Sequence, residues 1–164
     1  MAELVTRRMT VDDVELIRLQ RERMFQNNGI DAGTLETMRA PFAAWLRPKI
    51  EDGTYLGWAM ERDGVVVAGA GVMILDWPPH PQHPTDGRRA YVLNVYVAPE
   101  ERGRGTAKAL MELAEAESRK LGIDYAVLHA SPMGRPVYER SGWKSTNEMA
   151  KSLVGRLGTP ADSL

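Results

Sequence analysis

Val97-Ala98-Pro99-Glu100-Glu101-Arg102-Gly103-Arg104-Gly105-Thr106-Ala107 runs from the end of a predicted strand, through a basic glycine turn, into the start of a predicted helix. The first N–H groups of a helix have no intrahelical partner and sit at the positive end of its dipole, so they attract phosphate oxygens. Glycine at positions 103 and 105 removes the Cβ that would hold an anion away from the main chain. Arg102, Arg104 and Lys108 add positive charge at the same place. The stretch therefore predicts an anion cradle. Two familiar phosphate loops can be tested against it. The Walker pattern fails, because no Gly-x-x-x-x-Gly-Lys-Ser/Thr occurs in the chain. The dinucleotide fingerprint comes nearer, since Gly103 and Gly105 follow a strand, open a helix and precede Asp124 by about 20 residues. It fails where Lys108 replaces the third glycine, and too little chain follows to complete a doubly wound sheet.

Outward from the turn, residues 90–97 (AYVLNVYV) are β-branched and aromatic and predict a central strand that Pro99 ends. A helix is expected from Thr106 to about Lys120, with Ala107, Leu110, Met111, Ala114, Ser118 and Leu121 as its buried stripe and Gly122 past its end. Residues 123–129 predict the next strand, residues 134–141 a short helix stopped by Gly142, residues 143–153 one or two closing strands, and residues 155–164 a loose tail. Upstream, strands over residues 55–61 and 65–75 flank Arg62-Asp63-Gly64, a strong hairpin signal. Gly69 and Gly71 mark a bulge or a close backbone contact. Residues 76–88 hold four of the ten prolines and read as a long irregular loop; their His80 and His83 read as solvated. Residues 4–8 predict a first strand, and Thr10 with Asp13 caps a helix from Val11 whose stripe is Val14, Ile17, Arg21, Met24 and Phe25. Thr34 is expected to cap a second helix presenting Leu35, Met38, Phe42, Trp45 and Leu46, which Pro41 should kink or divide.

The chain has 164 residues, enough for one hydrophobic core, and is expected to be a single domain over 1–164. A formal net charge of -1 offers no electrostatic case for broad nucleic-acid or membrane-surface binding. The lack of cysteine excludes disulfides, thiolate catalysis and zinc–cysteine sites, and three scattered histidines make no convincing metal site. No apolar run approaches the roughly 20 residues that span a bilayer, and no secretory signal is evident, so a cytoplasmic location is the expectation.

A second motif lies downstream, where Val137-Tyr138-Glu139-Arg140-Ser141-Gly142-Trp143 is similar to the Leu-Tyr-Glu-x-x-Gly-Phe of GNAT N-acetyltransferases. Residues 102–107 likewise resemble that family's Arg/Gln-x-x-Gly-x-Gly/Ala turn, and Val97-Ala98-Pro99 the strand end before it. Two motifs in this order, joined by one helix and one strand, are far more specific than either alone. The resemblance covers residues 54–143. It implies a mixed α/β GNAT fold: a central mixed, largely antiparallel sheet with a splayed parallel strand pair, flanked by helices.

It further implies acetyl-CoA, or coenzyme A after transfer, as co-substrate. Amides from Gly103 through Thr106 and Ala107, with Arg102 and Arg104, would hold the pyrophosphate, while main-chain groups of Val95, Tyr96 and Val97 would pair with the pantetheine arm. Ser131 stands where many relatives place an asparagine that contacts pantetheine. Tyr138 matches the tyrosine that protonates the departing thiolate. Some relatives carry a glutamate base early in the central strand, but Tyr91 occupies that position. A water chain ending at the 77–88 loop near Asp76, His80, His83 or Asp86 is one replacement, and an amine arriving neutral is another. His129 reads as structural. The acceptor, a small-molecule or peptide amine, is expected among the end of the first helix, residues 27–33 and residues 77–88. Phe25, Trp77 and Asn94 are its candidate contacts, and Met24 and Trp45 supply further apolar surface. The rival reading is a non-catalytic acyl-CoA-binding module of the same fold. A homodimer through the C-terminal strands is common among relatives.

Overall fold

Among the described residues, five strands form one sheet in the order in which they occur in the chain: β1 (Val5–Arg8), β2 (Tyr55–Arg62), β3 (Val65–Leu75), β4 (Arg89–Val97) and β5 (Ala126–Leu128). The first three junctions are antiparallel and β4–β5 is parallel. This computed structural model describes residues 3–154, which divide between Leu128 and His129 into two compact units. The tail expected over 155–164 lies outside the described residues.

Within the first unit, Asp63 and Gly64 both have positive φ, 52° and 75°, the twist that matches a two-residue hairpin to its strands. The helices are α1 (Val14–Asn27), α2 (Ala32–Glu51) and α3 (Thr106–Lys120). Ala59 packs with Met9, Val14, Ile17, Leu46 and Tyr55 on the α1/α2 side. Its neighbour Met60 packs with Ala68, Ala70 and Leu110 on the α3 side. Successive strand residues face opposite ways, so the sheet is covered on both faces, which explains the run of buried residues in β2.

One irregularity interrupts the sheet. The β3–β4 register jumps between Gly69↔Tyr96 and Gly71↔Leu93, leaving an extra residue on β4. Asn94, with φ of 56°, is the residue that absorbs it. Leu93 therefore packs on the α1/α2 side whereas Val95 and Val97 pack on the α3 side. Gly69 and Gly71 satisfy both sequence alternatives, since the bulge lies opposite them and a Cβ on either would overlap a side chain, Gln20 or Tyr55.

Several expectations need correction. Asp31, not Thr34, caps α2, accepting the Thr34 N–H at 2.9 Å. The helix runs unbroken through Pro41 and Pro48. Both prolines are exposed, so the carbonyls of Thr37 and Ala44 that lose a donor face water. Leu121 is 42% exposed, because a Schellman turn at Gly122 (φ 76°) ends α3 and buries Ile123 in its place. The strand after α3 is only Ala126–Leu128. No strand forms among described residues beyond Leu128, where Met149 and Leu153 are 93% and 92% exposed and the polar run 144–148 has nothing to alternate with. The strands on which a dimer was expected are thus absent there.

The second unit holds α4 (Arg135–Arg140). The Ser131 hydroxyl accepts the Gly134 N–H at 3.1 Å before it, and Gly142, with φ of 89°, ends it in a second Schellman turn.

At the N-terminus the Thr10 N–H donates to the Asp13 carboxylate at 2.8 Å, and Arg7 grips the same carboxylate with two bonds of 2.9 and 2.8 Å. A single 3₁₀ turn, Val11–Asp13, precedes α1. The Arg7 guanidinium, and secondly the Thr10 amide, hold Asp13 below the usual carboxylate value despite its burial. A lowered folded pKa contributes stability above the unfolded value, about 3.9, that disappears as pH falls through the folded one. Asp13→Asn is accordingly expected to cost stability at pH 7, and the gap from the parent should narrow below about pH 4 in urea unfolding curves. A gap that does not change with pH would contradict this.

Candidate functional site

The glycine turn forms as its residues dictate. Gly103 and Gly105 have φ of 74° and 82°, a left-handed conformation that side chains disfavour, and a Cβ added at either meets nothing within 4 Å. No described residue closes the space above the turn. Gly105 caps α3 without a side-chain acceptor. Among the described residues, the N–H groups of Gly103, Arg104 and Gly105 donate to no backbone carbonyl, and those of Thr106, Ala107 and Lys108 are the orphans of any helix start. This is a concentrated set of free donors.

Glu101, which sequence reading passed over, braces the turn from beneath. It is 2% exposed and accepts two bonds from Arg62 at the end of β2, at 2.8 and 3.1 Å, and one from Arg104 at 3.2 Å. Arg62 chiefly, then Arg104, holds its carboxyl below the ordinary value against the opposing effect of burial. Its signal in the sequence was an acid directly before a basic turn. Arg102 folds back so that its Nε donates to the Val97 carbonyl at 3.2 Å. Lys108 is drawn towards Glu112, 3.7 Å away. The β4–β5 ladder ends at Val92↔Leu128, so among the described residues the β5-side edge of β4 beyond Val92, including Val95, Tyr96 and Val97, has no strand partner. An open edge of this kind can take an extended ligand as an extra strand.

Between α1 and α2 lies a cleft walled by Phe25, Leu35, Met38 and Phe42. Arg21 enters it from the apolar stripe of α1. Its guanidinium lies over the rings of Phe25 and Phe42, 4.7 and 4.8 Å from their centroids, and its Nη1 donates to Asn94 Oδ1 at 2.6 Å. Asn94 Nδ2 in turn donates to the Tyr55 hydroxyl at 2.9 Å. Burial pushes the Tyr55 phenol up to about 12, so it remains a neutral acceptor here. The structure thus joins Phe25 and Asn94, two of the three candidate acceptor contacts, through Arg21. A cation in the middle of an apolar stripe was the visible signal for that link.

Trp77, the third, stands in a different group. Arg89 sits 4.3 Å from its ring and 5.1 Å from that of Tyr125. In the same loop His83 is not solvated as expected: its side chain is 10% exposed, its ring is 4.5 Å from Tyr125, and Nδ1 comes within 2.8 Å of Asp124 off the hydrogen-bond direction. Two-way bonding between the main chains of His80 and His83 tightens the turn that packs it there. Asp86 pairs with Arg88 at 2.7 Å.

In the second unit, Tyr138 is partly buried, and burial pushes its phenol above the ordinary value of 10.0. Its ring lies 6.4 Å from Trp143, and a Cβ at Gly134 would crowd its edge at 2.9 Å, so a glycine there leaves room for the ring.

The model of the acetyltransferase (GNAT) family matches residues 16–143. Among solved structures, a GCN5-related N-acetyltransferase from Ralstonia eutropha is 49% identical, with 93% of this chain and 100% of that one covered and a TM-score of 0.89. A predicted acetyltransferase from Clostridium acetobutylicum, solved with acetyl-CoA, is 26% identical over 92% and 96% of the two chains, with a TM-score of 0.85. Glucosamine-6-phosphate N-acetyltransferase from Arabidopsis thaliana shares the fold at 19% identity, covering 92% and 99%, with a TM-score of 0.64. No curated protein matches.

Proposed function

Because this chain belongs to the GNAT acetyltransferase family, we propose that it transfers the acetyl group of acetyl-CoA to a primary amine by direct attack in a ternary complex, the whole chain acting as one acyltransferase domain. The observation that carries the proposal is the glycine turn, whose unpartnered donors lie immediately after an open strand edge. The Clostridium acetobutylicum relative, solved with acetyl-CoA, supports the choice of ligand.

On this reading, main-chain N–H groups from Gly103 to Ala107 hold the diphosphate, Arg102 and Arg104 adding charge at its rim. Val95, Tyr96 and Val97 offer backbone groups to the pantetheine arm, and Ser131 offers a hydroxyl. The amine lone pair attacks the thioester carbonyl carbon, and the oxyanion that forms is stabilised by a main-chain amide of β4. As the C–S bond breaks, the electron pair stays on sulfur and Tyr138 protonates it. A thiolate whose acid has a pKa near 8.5 can take a proton from a phenol near 10 when the two are held together, a transfer that is uphill by about 2 kcal/mol. The proton lost by the attacking nitrogen passes to water.

Acetyl-CoA and desulfo-CoA are expected to raise the melting temperature, whereas NAD should not. At a hundredfold excess over Kd the gain is about 2.7 kcal/mol. Gly105→Val combines a β-branched side chain with a positive φ and places carbon where the diphosphate would sit, so the acetyl-CoA shift should weaken by roughly tenfold in Kd. Stabilisation by NAD alone would remove the cofactor assignment. Binding of acetyl-CoA with no thiol released across an amine panel would favour the sensing module instead.

A further inference from the structure

Arg21 carries a charge that its surroundings leave unbalanced. Among the described residues it makes no ion pair. Its Nε is buried without an acceptor, and its single hydrogen bond goes to the neutral amide of Asn94. The cleft that it lines contains three arginines, Arg18, Arg21 and Arg39, against one carboxylate. That carboxylate, Glu22, is already held by Arg18 at 2.7 Å and Arg39 at 2.5 Å. Burial lowers the Arg21 pKa, with the nearby Tyr55 and Tyr91 phenols the opposing influences. A guanidinium partly withdrawn from water with no counter-ion is costly, and two stacked phenyl rings recover only part of that cost.

The position is as telling as the charge. Asn94 is the bulge residue of β4, two positions beyond the last β4–β5 pair, Val92↔Leu128. The bond to Arg21 therefore anchors a cation beside the very strand edge proposed to carry the thioester arm. Phe25, Leu35, Met38 and Phe42 form the walls, so water competes weakly for the guanidinium there.

We infer that the acceptor amine also bears a carboxylate, and that Arg21 is the residue that recognises it. Arg18 is also held by Glu15, 2.9 Å away, and Arg39 by Glu22, so of the three Arg21 alone is left without a carboxylate among the described residues. Its planar fork fits a carboxylate or a phosphate, but its single charge matches a carboxylate rather than a doubly charged phosphate. The substrate class is then the small amino carboxylates, with the anion in the α1/α2 cleft and the amine directed to β4. The inference rests on the acyl-transfer reading and narrows its acceptor.

The test measures thiol release from acetyl-CoA with a set of amino acids, each beside its carboxamide, its decarboxylated amine and its amino phosphonate. The amino acids are expected to lead their carboxamides by roughly 10- to 100-fold in kcat/KM, mostly through KM, the range of a hydrogen bond to a charged group. Arg21→Met should close that gap while the protein still shows its thermal shift with acetyl-CoA. Should Arg21→Met not fold, Arg21→Lys, which keeps the charge and loses the fork, should narrow the gap. Equal rates for acids and carboxamides, a gap that survives both substitutions, or a preference for phosphonates would each overturn the inference while leaving acyl transfer intact. Silence towards every amine, with acetyl-CoA still bound, would instead overturn the proposed function and this inference with it.

Discussion

Replacing Tyr138 with phenylalanine is expected to lower kcat a hundredfold or more while leaving acetyl-CoA binding close to its original strength. The expectation follows from what the substitution removes, a proton donor and little volume. General acid assistance contributes roughly 10²- to 10⁴-fold, and a phenylalanine ring keeps the contact with Trp143, 6.4 Å away. Burial pushes the phenol above 10.0, and a raised pKa favours the protonated form, so the acid remains available as pH rises through that value. The alkaline limb of kcat in the parent should therefore lie above pH 10, and the variant should lack it. A parallel loss of rate and of the acetyl-CoA thermal shift would recast Tyr138 as a packing residue, since it already fills the space that Gly134 leaves.

Gly71→Ala should be the most damaging single methyl group that can be added to the sheet, costing about 3 kcal/mol. The new Cβ would overlap the Tyr55 hydroxyl, whose side chain is buried at 2% exposure and cannot swing into solvent. Overpacking of this kind costs about 1–3 kcal/mol. Displacing Tyr55 also breaks its bond from Asn94, leaving buried polar atoms unpaired at a further 1–3 kcal/mol or so. In a chain of this size the melting temperature should fall by roughly 6–12 °C. Two controls sharpen the test. Adding Tyr55→Phe to Gly71→Ala removes the nearest clashing atom, though not the ring carbon that bears it, and counts the lost bond from Asn94 only once, so the double variant should be more stable than the sum of the single losses. Gly57→Ala, by contrast, meets nothing nearer than Met9 Sδ and Cβ at 3.1 and 3.2 Å and the Tyr55 ring at 3.3 Å, which shifts of a few tenths of an ångström relieve, and should cost less, about 1 kcal/mol. A Gly71→Ala protein that melts with the parent would show that the Tyr55–Asn94 pair has room to move.

The Tyr55–Asn94–Arg21 chain links the packing of the sheet to the cleft between α1 and α2. Asn94 holds Arg21 by one end of its amide and Tyr55 by the other. The polar atoms are satisfied only while the β4 bulge keeps Asn94 at its positive φ of 56°. Such a residue is costly by itself and persists where its surroundings hold it. Here they do so across three elements, α1, β2 and β4.

Signals that depend on a residue's own backbone or on neighbours a few positions away were legible in the sequence. The Asp63-Gly64 hairpin, the Thr10–Asp13 cap, the span of α3 from Thr106 to Lys120 and the glycine turn before it all stand where expected. Their causes are local: φ preference, side-chain reach and the 3.6-residue period. Pro41 misled for the complementary reason. Its cost depends on whether the carbonyl it strands meets water, and α2 turns that face to solvent. Residues 143–153 misled because a strand needs a neighbour to pair with, and no periodicity in them called for one.

What the sequence determined by itself was therefore most of the elements, the closing strands over 143–153 excepted, and the donor-rich turn, because these arise from short-range chemistry. Only the tertiary structure decided that Arg21 and Asn94, 73 positions apart, would share a hydrogen bond in a cleft whose one carboxylate is already taken. Charge balance is a property of what surrounds a group in space, and chain order does not encode that directly. For the same reason Glu101 emerged as the brace of the turn only once Arg62, 39 positions away, was seen to hold it.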